Sequence, residues 1–186
     1  MTEAHAITRP PGGWTVEDLD SWPETHARYE LTDGALTVSP SPSSVHQTVA
    51  ARLVVALEAL APADLAVTQA VEIRFARQLT RIPDVLVVRS TEPGRHWFAP
   101  AEVLLAVEIE SPGSHVEDRV TKPAIYARHG IPAYWRIELD PIRARVHRLG
   151  AGESYVETGA APDRLTATEP FAVDVDLAEL LPGWAR

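Results

Sequence analysis

The chain has 186 residues, 45% of them hydrophobic and 23% charged, with a formal net charge of −9 and no cysteine. That length fits one domain with a full core, and the missing cysteine excludes disulfides, thiolate zinc sites and cysteine nucleophiles. The acidic balance counts against an extended phosphate-binding surface without excluding one, because divalent cations offset the charge of a carboxylate-rich cleft.

The first residues have no basic start leading into an apolar stretch, and the longest apolar runs, such as 101–107, fall short of a membrane span. A cytoplasmic location without membrane association is therefore expected. Residues 1–13 end in Pro10-Pro11-Gly12-Gly13 and read as a flexible arm ahead of one domain over 14–186. Thr15, with an acid three residues on at Asp18, is the N-cap of a short helix that should stop by Pro23. Arg28–Thr32 and Ala35–Val38 flank Asp33-Gly34, the pair that a tight type I′ hairpin turn needs. After the turn at 39–44, apolar residues recur at helical spacing at Val45, Val49, Leu53, Ala56, Leu57 and Leu60, and Pro62 closes the helix. Strands are predicted over 64–68, 70–75 and 82–88, with 78–81 as the turn between the last two. Val103–Ile109 is a near-continuous apolar strand of the kind buried on both faces. A helical stretch over 115–129 contains Pro123, which predicts a bend or a second start near Lys122. Strands at 134–138 and 145–149, joined at Asp140-Pro141, precede a last strand and helical turn within 171–181. The order predicts an α/β (α+β) fold, a mixed central sheet flanked by helices.

The charged residues are distributed unevenly. Lys122 is the single lysine against sixteen arginines, so arginine fills nearly every place where only positive charge is needed. A lysine ammonium is a compact point charge that can approach one phosphate oxygen or one water. Lys122 follows three acidic segments. Asp84 stands after Pro83 at the start of an apolar strand, where turn chemistry is the bland explanation. Glu108 and Glu110 end the buried strand, where carboxylates are costly unless paired, hydrogen-bonded or metal-bound. Strand alternation puts both on one face, and salt bridges to Arg74 or Arg136 are the structural alternative. Asp118, Lys122 and Tyr126 share a helix face, and an exposed ion pair there is worth only a few tenths of a kcal/mol. The histidines lack HxxH or HExxH spacing, Ser111 and Ser114 lack nucleophile-elbow glycines, and Tyr134 and Trp135 read as core.

Pro-Asp, then about two dozen residues, then an acid at a strand end, then a lysine resembles the PD-(D/E)XK nuclease superfamily. More closely, the chain resembles the Uma-type restriction endonuclease family. The match is carried by Tyr29–Gly34, Ser39–Pro42, His46, Pro83-Asp84-Val85, Val107-Glu108-Ile109, Ser111-Pro112, Asp118, Lys122, Tyr126 and Gly130–Trp135. The resemblance implies a restriction-endonuclease-like fold, with Asp84 and Glu108 as ligands of Mg²⁺ or Mn²⁺ and Glu30 as an additional acid near the cleft. Lys122 would then act on the attacking water or on the developing charge. In the superfamily the lysine stands two residues after the acid, where this chain has Glu110; the Uma-type family places it on the following helix. Glu110 is thus a candidate ligand of a second metal, and His46, Asp118 and Tyr126 are candidate cleft-lining residues. The expected activity is metal-dependent cleavage of DNA, with a homodimer implied by cutting both strands. A degenerate nuclease-fold binding protein and a hydrolase of small phosphodiesters are the alternatives.

Overall fold

The computed structural model describes residues 9–22, 28–39, 41–89, 92–111 and 113–185. Pro23, His26, Pro40, Pro112 and the first eight residues, all part of the reading above, lie outside the described residues.

Helix α1, Val16–Asp20, starts with the expected reciprocal cap: the Asp18 backbone donates to Thr15 Oγ1, and the Thr15 backbone donates to Asp18 Oδ2 at 2.9 Å. Strands β1, Arg28–Thr32, and β2, Ala35–Ser39, pair about a turn in which Asp33 and Gly34 both have positive φ, 49° and 71°, as a type I′ turn requires. The end of the expected arm is docked here. Trp14 donates its backbone N–H to Gly34, and Gln78 Nε2 donates to the Gly12 carbonyl at 2.7 Å. A Cβ at Gly13 would lie 2.9 Å from Gly34 Cα, so this approach needs glycine.

Helix α2, Ser44–Glu58, is capped by Ser43 and buries Val49, Ala50, Leu53 and Leu57; Leu60 lies past its end and is exposed. Strands β3 (Ala66–Gln69), β4 (Glu72–Ala76), β5 (Leu79–Arg81), β6 (Val85–Val88) and β7 (Trp97–Phe98) follow. The predicted turn at 78–81 is corrected: the turn is Arg77-Gln78, and β5 is a strand with a buried polar end. Thr80 Oγ1 accepts the Leu31 N–H at 3.1 Å, and Arg81 donates to the Leu31 carbonyl at 2.9 Å, which stitches β5 to β1.

A 3₁₀ turn at Pro100–Glu102 leads into β8, Val103–Ile109, which is buried along its whole length. Residues Glu117–Thr121 form a wide π turn, which runs directly into α3, Lys122–Arg128. The π turn answers the predicted clash at Pro123, since Lys122 donates its backbone N–H to Glu117 five residues back. Strands β9 (Ala133–Leu139), β10 (Ile142–Leu149), β11 (Tyr155–Ala161), β12 (Arg164–Ala167) and β13 (Val173–Asp176) precede α4, Leu177–Leu180.

Six strands form the central sheet in the order β11-β10-β9-β8-β6-β3, with β8 and β9 parallel and the other pairs antiparallel. A second sheet runs β2-β1-β5-β4-β7, and β12 pairs with β13. Strand alternation splits the core into two layers. Val85, Val87, Leu105, Val107, Ile109, Trp135 and Ile137 meet α2 and α4, while Leu86, Val88, Ala106 and Tyr134 meet Ile125 and Tyr126 of α3. Glu108 follows Ala106 at the same period, so its carboxylate belongs to the α3 layer. Among the described residues, no helix is long and apolar enough to cross a membrane.

Candidate active site

Asp84 sits just before β6, opposite the end of β8, and its backbone N–H donates to the Val107 carbonyl at 3.1 Å. Its carboxylate is pinned from three elements. Oδ2 accepts the Ile109 N–H at 2.8 Å and lies 3.2 Å from His46 Nε2, on the first turn of α2. Oδ1 lies 3.1 Å from Arg28 Nη1 on β1. Burial pushes this acid up, but His46, the Ile109 amide and Lys122 outweigh it and hold the carboxyl below its ordinary value.

Glu108, only 2% exposed, is met by α3. Lys122 Nζ donates to Oε2 at 2.8 Å and Tyr126 OH donates to Oε1 at 2.6 Å. Lys122 Nζ is also 3.3 Å from Asp118 Oδ1, one turn back. Asp118 is itself buried, its other oxygen accepting from Ser114 Oγ. Burial pushes the Glu108 carboxyl up to about 8; Lys122 pulls against this, and the negative charges of Asp84 and Asp118 add to it. For Lys122, burial pulls the ammonium down, but Glu108, Glu30 and Asp118 outweigh it and leave it well above its ordinary range. Glu30, 6% exposed on β1, accepts the Ile82 N–H at 2.7 Å and so ties the hairpin to the chain entering Asp84.

Glu30, Asp84, Glu108, Asp118, Lys122 and His46 thus line one cleft of about 320 Å³. A neighbouring hollow of about 470 Å³ shares Glu30, Ser39, Ser114 and Lys122 with it as walls. Four buried carboxyl groups crowd around Lys122, Arg28 and His46 in a low-dielectric setting, which favours the protonated form of Glu108. All the acidic donors are hard oxygens. Among the described residues no three His, Asp or Glu side chains converge closely enough to hold an ion by themselves. Mg²⁺ usually takes one or two carboxylates completed by water and substrate phosphate, and the oxygens of Asp84 and Glu108 offer that donor chemistry.

One expectation is corrected. Glu110 does not line the cleft with Glu108: its backbone N–H still bonds the Ile137 carbonyl of β9 at 2.8 Å, but its side chain, one step further along the same face, is claimed by other charges. Its carboxylate instead accepts from Arg119 Nη2 at 2.8 Å, with His115 Nδ1 at 3.3 Å and Arg136 Nε at 3.6 Å. The structural alternative through Arg136 therefore describes it, while Arg74 pairs elsewhere, with Asp20 and Glu72. Arg28 was missed, although its place two residues before Glu30 on a predicted strand puts both on one face.

A mixed sheet brings an acid just before β6 beside an acid on β8, with a lysine supplied by the following helix, and the architecture matches a nuclease-like fold. A solved structure described as "a putative nuclease" from Anabaena variabilis matches with a TM-score of 0.70 at 19% identity, covering 92% of this chain and 99% of that one. A comparison with curated proteins gives no match. The family model described as "Putative restriction endonuclease" matches residues 16–179, and the chain belongs to this family, Uma2.

Proposed function

We propose that this cleft hydrolyses DNA phosphodiester bonds with the help of Mg²⁺ or Mn²⁺ held by Asp84 and Glu108. The observation that carries the reading is the meeting of these two carboxylates with the only lysine of the chain in one buried cleft. Such an ion, when bound, lowers the pKa of its water and offsets charge growing on the phosphate.

The protein's own groups supply the remainder. His46 and the Ile109 amide fix the Asp84 carboxylate, and Tyr126 fixes Glu108 from the side opposite Lys122. An ammonium has three donors; Glu108 takes one, Asp118 lies beside it as an ion-pair partner at 3.3 Å, and a donor is left for the attacking water or a phosphate oxygen. The second hollow beside the carboxylates gives neighbouring nucleotides of a strand somewhere to sit, which supports a polymer over a mononucleotide. Cutting both strands of a duplex calls for two such clefts, and hence a pair of chains.

Plasmid cleavage with Mg²⁺ or Mn²⁺ by the wild type, Asp84→Ala and Lys122→Ala is the direct test. Metal-dependent nicking that both variants lose is expected. Mn²⁺ binding without any nicking would shift the reading to another phosphoester, and neither binding nor nicking would leave a degenerate binding protein.

A further inference from the structure

The Asp84 carboxylate is held unevenly. Oδ2 has two partners on fixed parts of the fold, the Ile109 amide of β8 and His46 of α2. Oδ1 faces Arg28, whose side chain is 27% exposed where those of Asp84 and His46 are 8% and 7%. The guanidinium therefore reaches the carboxylate from the open end of the cleft. Among the described residues Arg28 makes no other ion pair, and it is the one arginine lining this cleft. Arg81, in the adjoining hollow, is committed to the Leu31 and Thr80 carbonyls and Thr32 Oγ1.

Building on the reading of Asp84 as a metal ligand, we infer that Arg28 is an exchangeable partner: it yields Asp84 Oδ1 to the divalent cation and passes to a non-bridging oxygen of the substrate phosphodiester. A divalent cation on Asp84 repels the guanidinium beside it, so binding of the ion weakens the Arg28 pair and favours its release. His46 and the Ile109 amide keep the carboxylate in place while this happens. A half-open ion pair holds its partner weakly, so the exchange is easy. The departing guanidinium stays tethered to β1 at the mouth of the cleft, where its planar fork matches the geometry of a phosphate. Lys122 stays inside beside Glu108 and Asp118, at the reacting group, and does not move to the mouth of the cleft.

The inference predicts an unusual split between binding metal and binding DNA. The test is calorimetric Mn²⁺ titration and steady-state duplex cleavage on the intact wild type, Arg28→Ala and Arg28→Lys, with melting curves to verify folding. Arg28→Ala should bind Mn²⁺ about three- to tenfold more tightly, having lost the competitor, while its KM for DNA rises about tenfold. Arg28→Lys should bind Mn²⁺ nearly as the wild type does and still show a raised KM, because an ammonium lacks the fork. Weaker Mn²⁺ binding in Arg28→Ala, or an unchanged KM in both variants, would overturn the inference. Should the alanine variant unfold, the KM of Arg28→Lys decides alone. A wild type that neither binds Mn²⁺ nor cuts DNA would instead sink the underlying nuclease reading, and that result is visible before any variant is made.

Discussion

Glu108 and Glu110 stand two residues apart, both nearly buried, yet they live in opposite electrostatic surroundings. Glu108 shares its cleft with Asp84, Asp118 and one lysine, and burial, reinforced by the two acids, pushes its carboxyl up to about 8. Glu110 sits among Arg119, His115 and Arg136; burial pushes it up, but these partners outweigh burial and hold it below its ordinary value. One carboxylate has too little positive charge around it and the other has an ample supply. A buried acid left short of counter-charge is a place where a cation or reacting group can act, whereas a saturated one is a strut.

That contrast is breakable by mutation. Glu108→Ala should lower kcat/KM for DNA cleavage by about a thousandfold or more, as loss of a metal-binding carboxylate does, while Glu110→Ala stays within about threefold. Equal losses in a nicking assay would erase the distinction. Lys122→Arg should be nearly as damaging as Lys122→Ala, each about a hundredfold, because the larger fork cannot reproduce one point donor between Glu108 and Asp118. Near-normal cleavage by the arginine variant would mean that charge alone suffices there. In urea denaturation the ranking should invert: Glu110→Ala should lose about 1–2 kcal/mol, since Arg136 and its neighbours lose a shared acceptor.

The smallest effect sharpens the contrast most, because its sign differs at the two positions. The Glu108 carboxyl lies above its ordinary 4.5, so the fold favours its protonated form. The stability this carries is present below pH 4.5 and is lost as pH rises through about 8. In EDTA, the melting temperature of Glu108→Gln should therefore gain on the wild type across that window. For Glu110 the folded value is depressed, so its contribution is present above 4.5 and is lost as pH falls through the folded value. The deficit of Glu110→Gln should accordingly close in acid. Parallel pH trends in the two variants would contradict the assignment.

Local chemistry carried much of the fold into view from the sequence. Asp33-Gly34 announced the hairpin, the pairing of Thr15 with Asp18 announced α1, and unbroken apolar content announced β8. Strands whose stability comes from distant partners stayed hidden. Leu79–Arg81 reads as a turn because its polar residues find their partners in β1, some fifty positions away. Residues 155–161 and 164–167 carry small or mostly exposed side chains with little apolar alternation, so β11 and β12 passed unread. The candidate site divides in the same way. Asp84, Glu108 and Lys122 stood out because their charges interrupt apolar or arginine-only surroundings. Glu110 keeps the face that alternation gives it but not the role, because Arg119 of the π turn and Arg136 of β9, distant in sequence, claim its carboxylate.

The π turn at Glu117–Thr121 turns chain length into a chemical variable. It carries Asp118 and ends at Lys122, so any change in the residue count between them is read out as rotation of the lysine about the helix axis. One residue added or removed swings everything downstream by about 100°, carrying Lys122 and Tyr126 away from Glu108 together. Substitutions at exposed Val120 leave that angle untouched, whereas deleting Val120 would dismantle both hydrogen bonds to the carboxylate at once. Across the family, this segment should tolerate changes of residue far better than changes of length.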